Sequence, residues 1–97
     1  MKTHELKTWP EYFGPLASGD KAFELRVNDR DFQAGDTLIL NEWDPKTRSF
    51  TGRLALRRVT FMLQGPFFNP SHDRSEPGLR QGWVIMSLAP LQGTLDG

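Results

Sequence analysis

The chain has 97 residues and carries no formal net charge, since 12 basic side chains balance 12 acidic ones. This length suits one small domain, and the charge balance argues against coating of long duplexes, which usually needs a basic excess. Cysteine is absent, which excludes disulfides and thiolate metal sites. No apolar run approaches the roughly 20 residues of a membrane span, and the N-terminus lacks a signal-peptide core, so a cytoplasmic location is expected.

The N-terminal part predicts a short extended segment followed by a helix. Thr3 to Lys7 is consistent with an edge strand or an ordered arm. Thr8 to Glu11 has the spacing of a capping box, in which Thr8 would be the N-cap. Pro15 falls inside the helical pattern and Gly19 is a suitable C-terminal stop. We therefore expect a short, kinked helix that stops at Gly19.

The segment from Ala22 to Asn28 alternates as a strand does, with its apolar residues on one face and its polar residues on the other. Glu24 and Arg26 should therefore share a face, about 7 Å apart along the backbone. Strict alternation puts Lys21 on the opposite face. Lys21 can join the other two charges only if the chain still turns just after the helix. The apolar residues of this strand are Phe23, Leu25 and Val27.

Three more strands complete the predicted fold. Polar turns follow the second strand, and a proline-containing hairpin loop separates the third from the fourth. The apolar alternation changes phase at Arg57-Arg58, which indicates a β-bulge that would restore one buried face from Leu54 to Leu63. One short helix and about five strands predict a mainly β (α+β) fold, a small curled sheet or partly open barrel. The three strands are expected at Thr37–Trp43, Arg53–Leu63 and Trp83–Leu88.

Residues 1–90 are expected to form a single domain, with 91–97 as a flexible C-terminal tail. Gln64 to Gln81 is polar and rich in proline, and loops of this length in small domains are usually functional or disordered. Phe67 and Phe68 in this loop are candidates for stacking, for a lid or for a hydrophobic anchor.

Glu24 and Arg26 are the best candidates for a binding site. A glutamate can accept from the amino group of a base or take part in proton transfer, and an arginine can contact phosphate or stack. A solvent-facing or cross-strand ion pair explains the same two residues equally well. Asp29 and Arg30 fit a turn with a surface charge pair, although Arg30 could also overhang a pocket beside the preceding strand.

Signals for other chemistry are missing from the sequence. His4 and His72 are the only histidines, and neither has metal-ligand spacing, so no metal and no cofactor are expected. Neither a glycine-rich phosphate loop nor a G-x-S-x-G motif is present. The three tryptophans, Trp9, Trp43 and Trp83, favour positions in the core or at its rim.

Gly19, Lys21, Glu24 and Arg26 form the pattern G-x-K-x-x-E-x-R. In this stretch the chain resembles the ASCH domain group of the PUA-like superfamily and, within it, a small uncharacterised bacterial and phage family. The resemblance covers roughly residues 3 to 90. Its other matching residues are His4-Glu5-Leu6-Lys7, Pro10, Phe13, Phe23, Asn28, Asp29, Arg30, Phe32, Gly35-Asp36, Leu38–Leu40, Glu42, Asp44 and Trp83–Leu88.

The resemblance implies a small PUA-like β-barrel of about five strands, with one short N-terminal helix beside a cleft. It also implies RNA or a modified nucleotide as the ligand. Some ASCH-like relatives are hydrolases, and Lys21 and Glu24 would be the catalytic residues of such an enzyme. Glu24 stands near the place where the amidohydrolase branch uses a threonine-type nucleophile. The residues that would bind the ligand are Lys7, Lys21, Glu24, Arg26, Asp29 and Arg30.

The expected function is that of a module that binds RNA or a modified nucleotide in a charged cleft. A small hydrolase that acts on a modified nucleoside or on RNA is the alternative. A protein-interaction module that uses Phe67 and Phe68 is a second alternative. The expected partner is RNA or a nucleotide, and neither a membrane nor a metal ion.

Overall fold

A computed structural model describes residues 1–66 and 79–91, and within them five strands form one curled sheet beside a single helix. The predicted mainly β fold is therefore confirmed. Phe67, Phe68 and His72 lie outside the described residues, as does the predicted tail from residue 92 onward. The elements are β1 (Thr3–Thr8), α1 (Pro10–Ser18), β2 (Phe23–Val27), β3 (Thr37–Asp44), β4 (Ser49–Gln64) and β5 (Trp83–Pro90).

The strand order in the sheet is β1-β3-β4-β5-β2, so β1 and β2 are its two edges. β1 runs parallel to β3, and all the other neighbouring pairs are antiparallel. β4 has 16 residues and pairs with β3 through its first part and with β5 through its second. One long strand that serves two neighbours at different ends lets the sheet curl into a half-barrel.

The bulge in β4 lies further along the strand than the sequence predicts. Its pairing with β5 shifts register between Val59 and Phe61, not at Arg57-Arg58. Leu54 and Phe61 are 47% and 65% exposed, so the predicted buried face was wrong. The reason is that Arg57 turns inward and donates from Nη2 to the carbonyl of Leu16 at 2.9 Å. A polar residue thus occupies an inward-facing position, which the apolar alternation does not reveal.

The helix begins later than the capping-box spacing indicates. Trp9 is the N-cap, and no side chain caps the helix. Thr8 remains in β1 and pairs with Glu42 of β3, so its predicted role as N-cap was wrong. The C-terminal stop is confirmed, because Gly19 has a left-handed φ of 91° and donates its N–H to Leu16. Among the described residues, no helix has the length and apolar character needed to cross a membrane.

The hydrophobic core fills the concave side of the sheet beneath α1. Every described element contributes to it except β2. In β2 the polar face is buried and the apolar face is exposed. Glu24 is 4% exposed, while the apolar residues Phe23, Leu25 and Val27 are each 47% exposed. The charged face of β2 therefore turns toward the interior. The core residues are Leu6, Phe13, Leu16, Phe32, Leu38, Leu40, Ala55, Val59, Val84, Met86 and Leu88.

A buried hydrogen-bonded pair links the start of β1 to the turn before β3. His4 Nε2 lies 2.8 Å from Asp36 Oδ2, and both side chains are buried. Asp36 also accepts the backbone N–H groups of Lys2 at 2.9 Å and Gln33 at 3.0 Å. Burial alone would raise the pKa of Asp36, but the hydrogen bonds from Lys2, His4 and Gln33 outweigh it and hold the pKa below its ordinary value.

Replacement of Asp36 by Asn should destabilise the fold by about 1–3 kcal/mol, because an amide nitrogen would then face a donor. The lowered pKa means that the carboxylate stabilises the native state above its ordinary pKa of 3.8. That contribution is lost as the pH falls through the lower pKa of the folded state. Urea unfolding at pH 7 and at several values below pH 4 measures both effects. If the free energy of unfolding falls with decreasing pH equally steeply in wild type and in the Asp36→Asn variant, the Asp36 carboxylate is not the source of the pH dependence.

Candidate functional site

Two arginines close the gap between the edge strands β1 and β2, which do not pair with each other. Arg26 Nη2 donates to the carbonyl of Lys7 at 2.7 Å, and Arg30 Nη1 donates to the carbonyl of Glu5 at 2.8 Å. Side chains thus replace a backbone ladder along this line, which we call the seam. Because guanidinium groups bind carbonyls without pairing the strands, the seam leaves room for a groove beside it.

A groove of about 680 Å³ opens between the end of β1, the start of α1 and β2. Four aromatic residues on its wall are substantially exposed: Trp9 at 50%, Tyr12 at 54%, Phe23 at 47% and Trp83 at 37%. Exposed rings at a groove can stack on a flat ligand. The remaining lining residues are Lys7, Thr8, Lys21, Glu24, Leu25, Arg26 and Val27.

Glu24 is the centre of a charge cluster in this groove. Its Oε1 accepts from Lys21 Nζ at 3.0 Å, and its Oε2 accepts from Arg26 Nε at 2.6 Å. The Glu24 side chain is 6% exposed, whereas those of Lys21 and Arg26 are 20% and 27% exposed. Two cations against one anion leave the cluster with a net positive charge. The cations are also the part of the cluster that solvent reaches.

The turn after the helix brings Lys21 into the cluster. Lys21 precedes the first residue of β2, Phe23, so the alternation of the strand does not govern it. Its N–H donates to the carbonyl of Pro15 at 2.9 Å, which holds the chain against the end of α1. Its Nζ also donates to the carbonyl of Phe23 at 2.9 Å. Lys21 therefore lies on the same side as Glu24, where strict alternation would not place it.

The other predicted ligand-binding residues do not join the cluster. The Lys7 ammonium lies 4.0 Å from the centre of the Trp43 ring, and only the backbone carbonyl of Lys7 contacts the seam. Asp29 and Arg30 are exposed and do not line the groove. Among residues 1–66 and 79–91, no group of three or more His, Asp or Glu side chains could hold a metal ion.

The sequence interpretation missed several residues of the groove. Trp9 and Trp83 were assigned to the core or its rim, yet both line the groove, as does Tyr12. Thr8 was assigned to the helix cap, but it lies on the groove and is 4% exposed. The signal in the sequence is that Thr8, Trp9 and Tyr12 lie close together where β1 passes into α1. These residues are distant from β2 in sequence, and only the fold brings them beside it.

The fold and the groove define a small half-barrel domain with a charged, aromatic-walled pocket at the seam of its sheet. Residues 3–88 match the family model described as a domain of unknown function (DUF3850), and the chain belongs to this family. An uncharacterized 12.9 kDa protein in the GpA 3' region of Escherichia phage P2 is 44% identical over 59 residues. The match covers 61% of this chain and 52% of that protein, so the chain spans about half the length of this relative.

A solved structure described as hypothetical protein PH0355 has a similar fold. Its TM-score is 0.54 at 15% sequence identity, and the match covers 94% of this chain and all of the other chain. At this identity the similarity shows the fold alone.

Replacement of Arg26 by Ala should destabilise the domain more than replacement of Arg30. Each change removes one hydrogen bond across the seam, which corresponds to about 1 kcal/mol for partly exposed groups. The Arg26 change also leaves Glu24 buried with one cation fewer, which should add a further penalty of about 1 kcal/mol. Urea unfolding measures both effects. Arg58→Ala, at an exposed position of β4, is the control and should shift stability by less than about 0.5 kcal/mol.

Proposed function

We propose that the groove binds a nucleotide or the end of a single-stranded RNA. The observation that carries this proposal is the Lys21–Glu24–Arg26 cluster inside a groove with four exposed aromatic rings. Lysine and arginine bind phosphate through charge-assisted hydrogen bonds, and aromatic side chains stack on unpaired bases. The two kinds of contact occur together at this place, as a nucleotide requires.

Glu24 supplies the polar contact that would orient a base. An ionised carboxylate has about four lone-pair sites, and Lys21 and Arg26 occupy two of those of Glu24. The remaining sites can accept from an N–H of a base. This is the role that the sequence analysis expects for Glu24.

The size and charge of the groove favour a small ligand over a duplex. Its volume of about 680 Å³ falls within the range of roughly 300–1,000 Å³ that is typical of small-molecule sites. The chain has no net charge, so a duplex would find little sequence-independent attraction. A single nucleotide, free or at the end of a strand, matches both properties.

The resemblance of the G-x-K-x-x-E-x-R stretch to the ASCH group supports the same ligand class. Its Lys21, Glu24 and Arg26 positions are the ones that form the cluster. We propose on this basis that the family is related to the ASCH and PUA-like domains. The proposal rests on the motif together with the groove, because the solved structure it resembles is informative only about the fold.

Replacement of Arg26 by Ala should weaken binding of a short single-stranded RNA at least tenfold. The slope of log affinity against log salt should fall by about 0.7, the value for one phosphate contact to a single strand. Fluorescence anisotropy over a salt series measures both quantities. Lys21→Ala is a second variant without a seam contact and should act in the same direction.

Arg58→Ala removes the same charge from an exposed position that does not line the groove, and it should leave both quantities unchanged. Equal losses for Arg26→Ala and Arg58→Ala would indicate diffuse charge attraction and would count against a groove site. Absence of binding to any RNA or mononucleotide would reject the proposal itself.

Hydrolysis of a modified nucleoside or of RNA is a second candidate, favoured by the 3.0 Å contact between Lys21 Nζ and Glu24 Oε1. A basic and an acidic group in hydrogen-bond contact can move a proton during attack by water. If the protein is such an enzyme, it should turn over acetylated cytidine or a mixed RNA. Glu24→Gln should then slow turnover by about 100-fold or more. Chromatography that detects no product after long incubation with wild-type protein would eliminate this candidate.

A further inference from the structure

Thr8 has a buried hydroxyl without a hydrogen-bond partner. Its Oγ1 is the one buried side-chain nitrogen or oxygen atom without a partner within residues 1–66 and 79–91. The residue is 4% exposed and lines the groove. Buried polar groups are nearly always paired, because an unpaired one destabilises the fold. A ligand in the groove could supply the partner that this hydroxyl lacks.

The local backbone explains why Thr8 finds no partner within the fold. Trp9 occupies the N-cap position, and its carbonyl already accepts the N–H of Phe13 at 2.9 Å. Thr8 itself is the last residue of β1 and lies opposite Glu42 in the parallel ladder. The Glu42 carboxylate is bonded elsewhere, to the hydroxyl of Thr51 at 2.7 Å.

The backbone next to Thr8 is linked to the charge cluster through the Arg26 side chain. Arg26 donates from Nη2 to the carbonyl of Lys7, the residue before Thr8, and from Nε to Glu24. One guanidinium group thus ties the end of β1 to the Glu24 carboxylate. Thr8 and Glu24, each 4% exposed, are the two buried residues among those that line the groove.

We propose that Thr8 and Glu24 together bind the Watson–Crick edge of a nucleobase, with Thr8 as a residue that determines base recognition. This inference rests on the proposed nucleotide-binding function. A carboxylate only accepts hydrogen bonds, whereas a hydroxyl can also donate one. The pair is therefore complementary to a ligand edge that presents a donor beside an acceptor, as the edge of a base does.

The anion of the cluster is more buried than its two cations, and this difference indicates how a nucleotide would be oriented in the groove. A phosphate is disfavoured against the buried Glu24 side chain, because the carboxylate would repel it. Lys21 and Arg26 are the more exposed members of the cluster and suit a phosphate nearer the mouth. Trp9 and Tyr12, at about half exposure, suit the face of the base. The base edge is thus directed inward and the phosphate outward.

The test compares Thr8→Val, which keeps the shape but removes the hydroxyl, with Thr8→Ser, which keeps the hydroxyl. The probes are the four ribonucleoside 5′-monophosphates and ribose 5-phosphate, measured by calorimetry with the full chain. Thr8→Val should bind the tightest mononucleotide at least tenfold more weakly and should discriminate less among bases. Its affinity for ribose 5-phosphate should change less than twofold. Thr8→Ser should stay within about threefold of wild type for every probe.

Stability of the unliganded protein supplies an independent readout. Because Thr8→Val removes a buried hydroxyl that lacks a partner, its urea midpoint should equal or exceed that of the wild type. A lower midpoint, with nucleotide binding unchanged, would mean that the hydroxyl has a purely structural partner and would overturn the inference.

The remaining outcomes separate this inference from the proposed function. If wild-type protein binds ribose 5-phosphate as tightly as every mononucleotide, the base edge is not recognised and the role of Thr8 is refuted, while phosphate binding stands. If Thr8→Val binds all probes like wild type, the inference fails and the nucleotide site stands. If wild-type protein binds neither mononucleotides nor RNA, both proposals fail together.

Discussion

The two-sided contact of Arg26 is the interaction on which the rest of this structure depends. One guanidinium group pairs with Glu24 on its own strand and with the carbonyl of Lys7 on the opposite edge strand. It thereby joins the ends of a five-stranded sheet that has no backbone ladder across the seam. A closed ladder would satisfy the same edge groups but would leave no groove. The seam therefore makes the sheet a half-barrel with an accessible pocket.

The orientation of β2 follows from the same contact. An isolated buried carboxylate is costly, but Lys21 and Arg26 compensate the charge of Glu24 in the interior. The alternating apolar residues of β2 are then left on the outer face, each about half exposed. This strand contributes charge, where the other strands contribute hydrophobic burial.

Much of the fold could be predicted from local patterns, whereas much of the groove could not. The helix stop at Gly19 and the third and fifth strands lie close to their predicted places because glycine conformation and apolar alternation are local properties. The role of Thr8 was mispredicted because its capping-box spacing is equally compatible with a strand end. The position of the bulge in β4 was mispredicted because Arg57 turns inward toward the helix, where the pattern predicts an apolar residue.

The sequence by itself determined that Glu24 and Arg26 share a face, because side chains two residues apart on a strand must do so. It also determined the mainly β class, through the alternation of its apolar residues. Only the tertiary structure decided that this face turns inward, since that choice depends on Lys7 and Lys21 meeting it from other elements. The same holds for Thr8, whose unpaired hydroxyl becomes evident only when β1, the start of α1 and β2 enclose one groove.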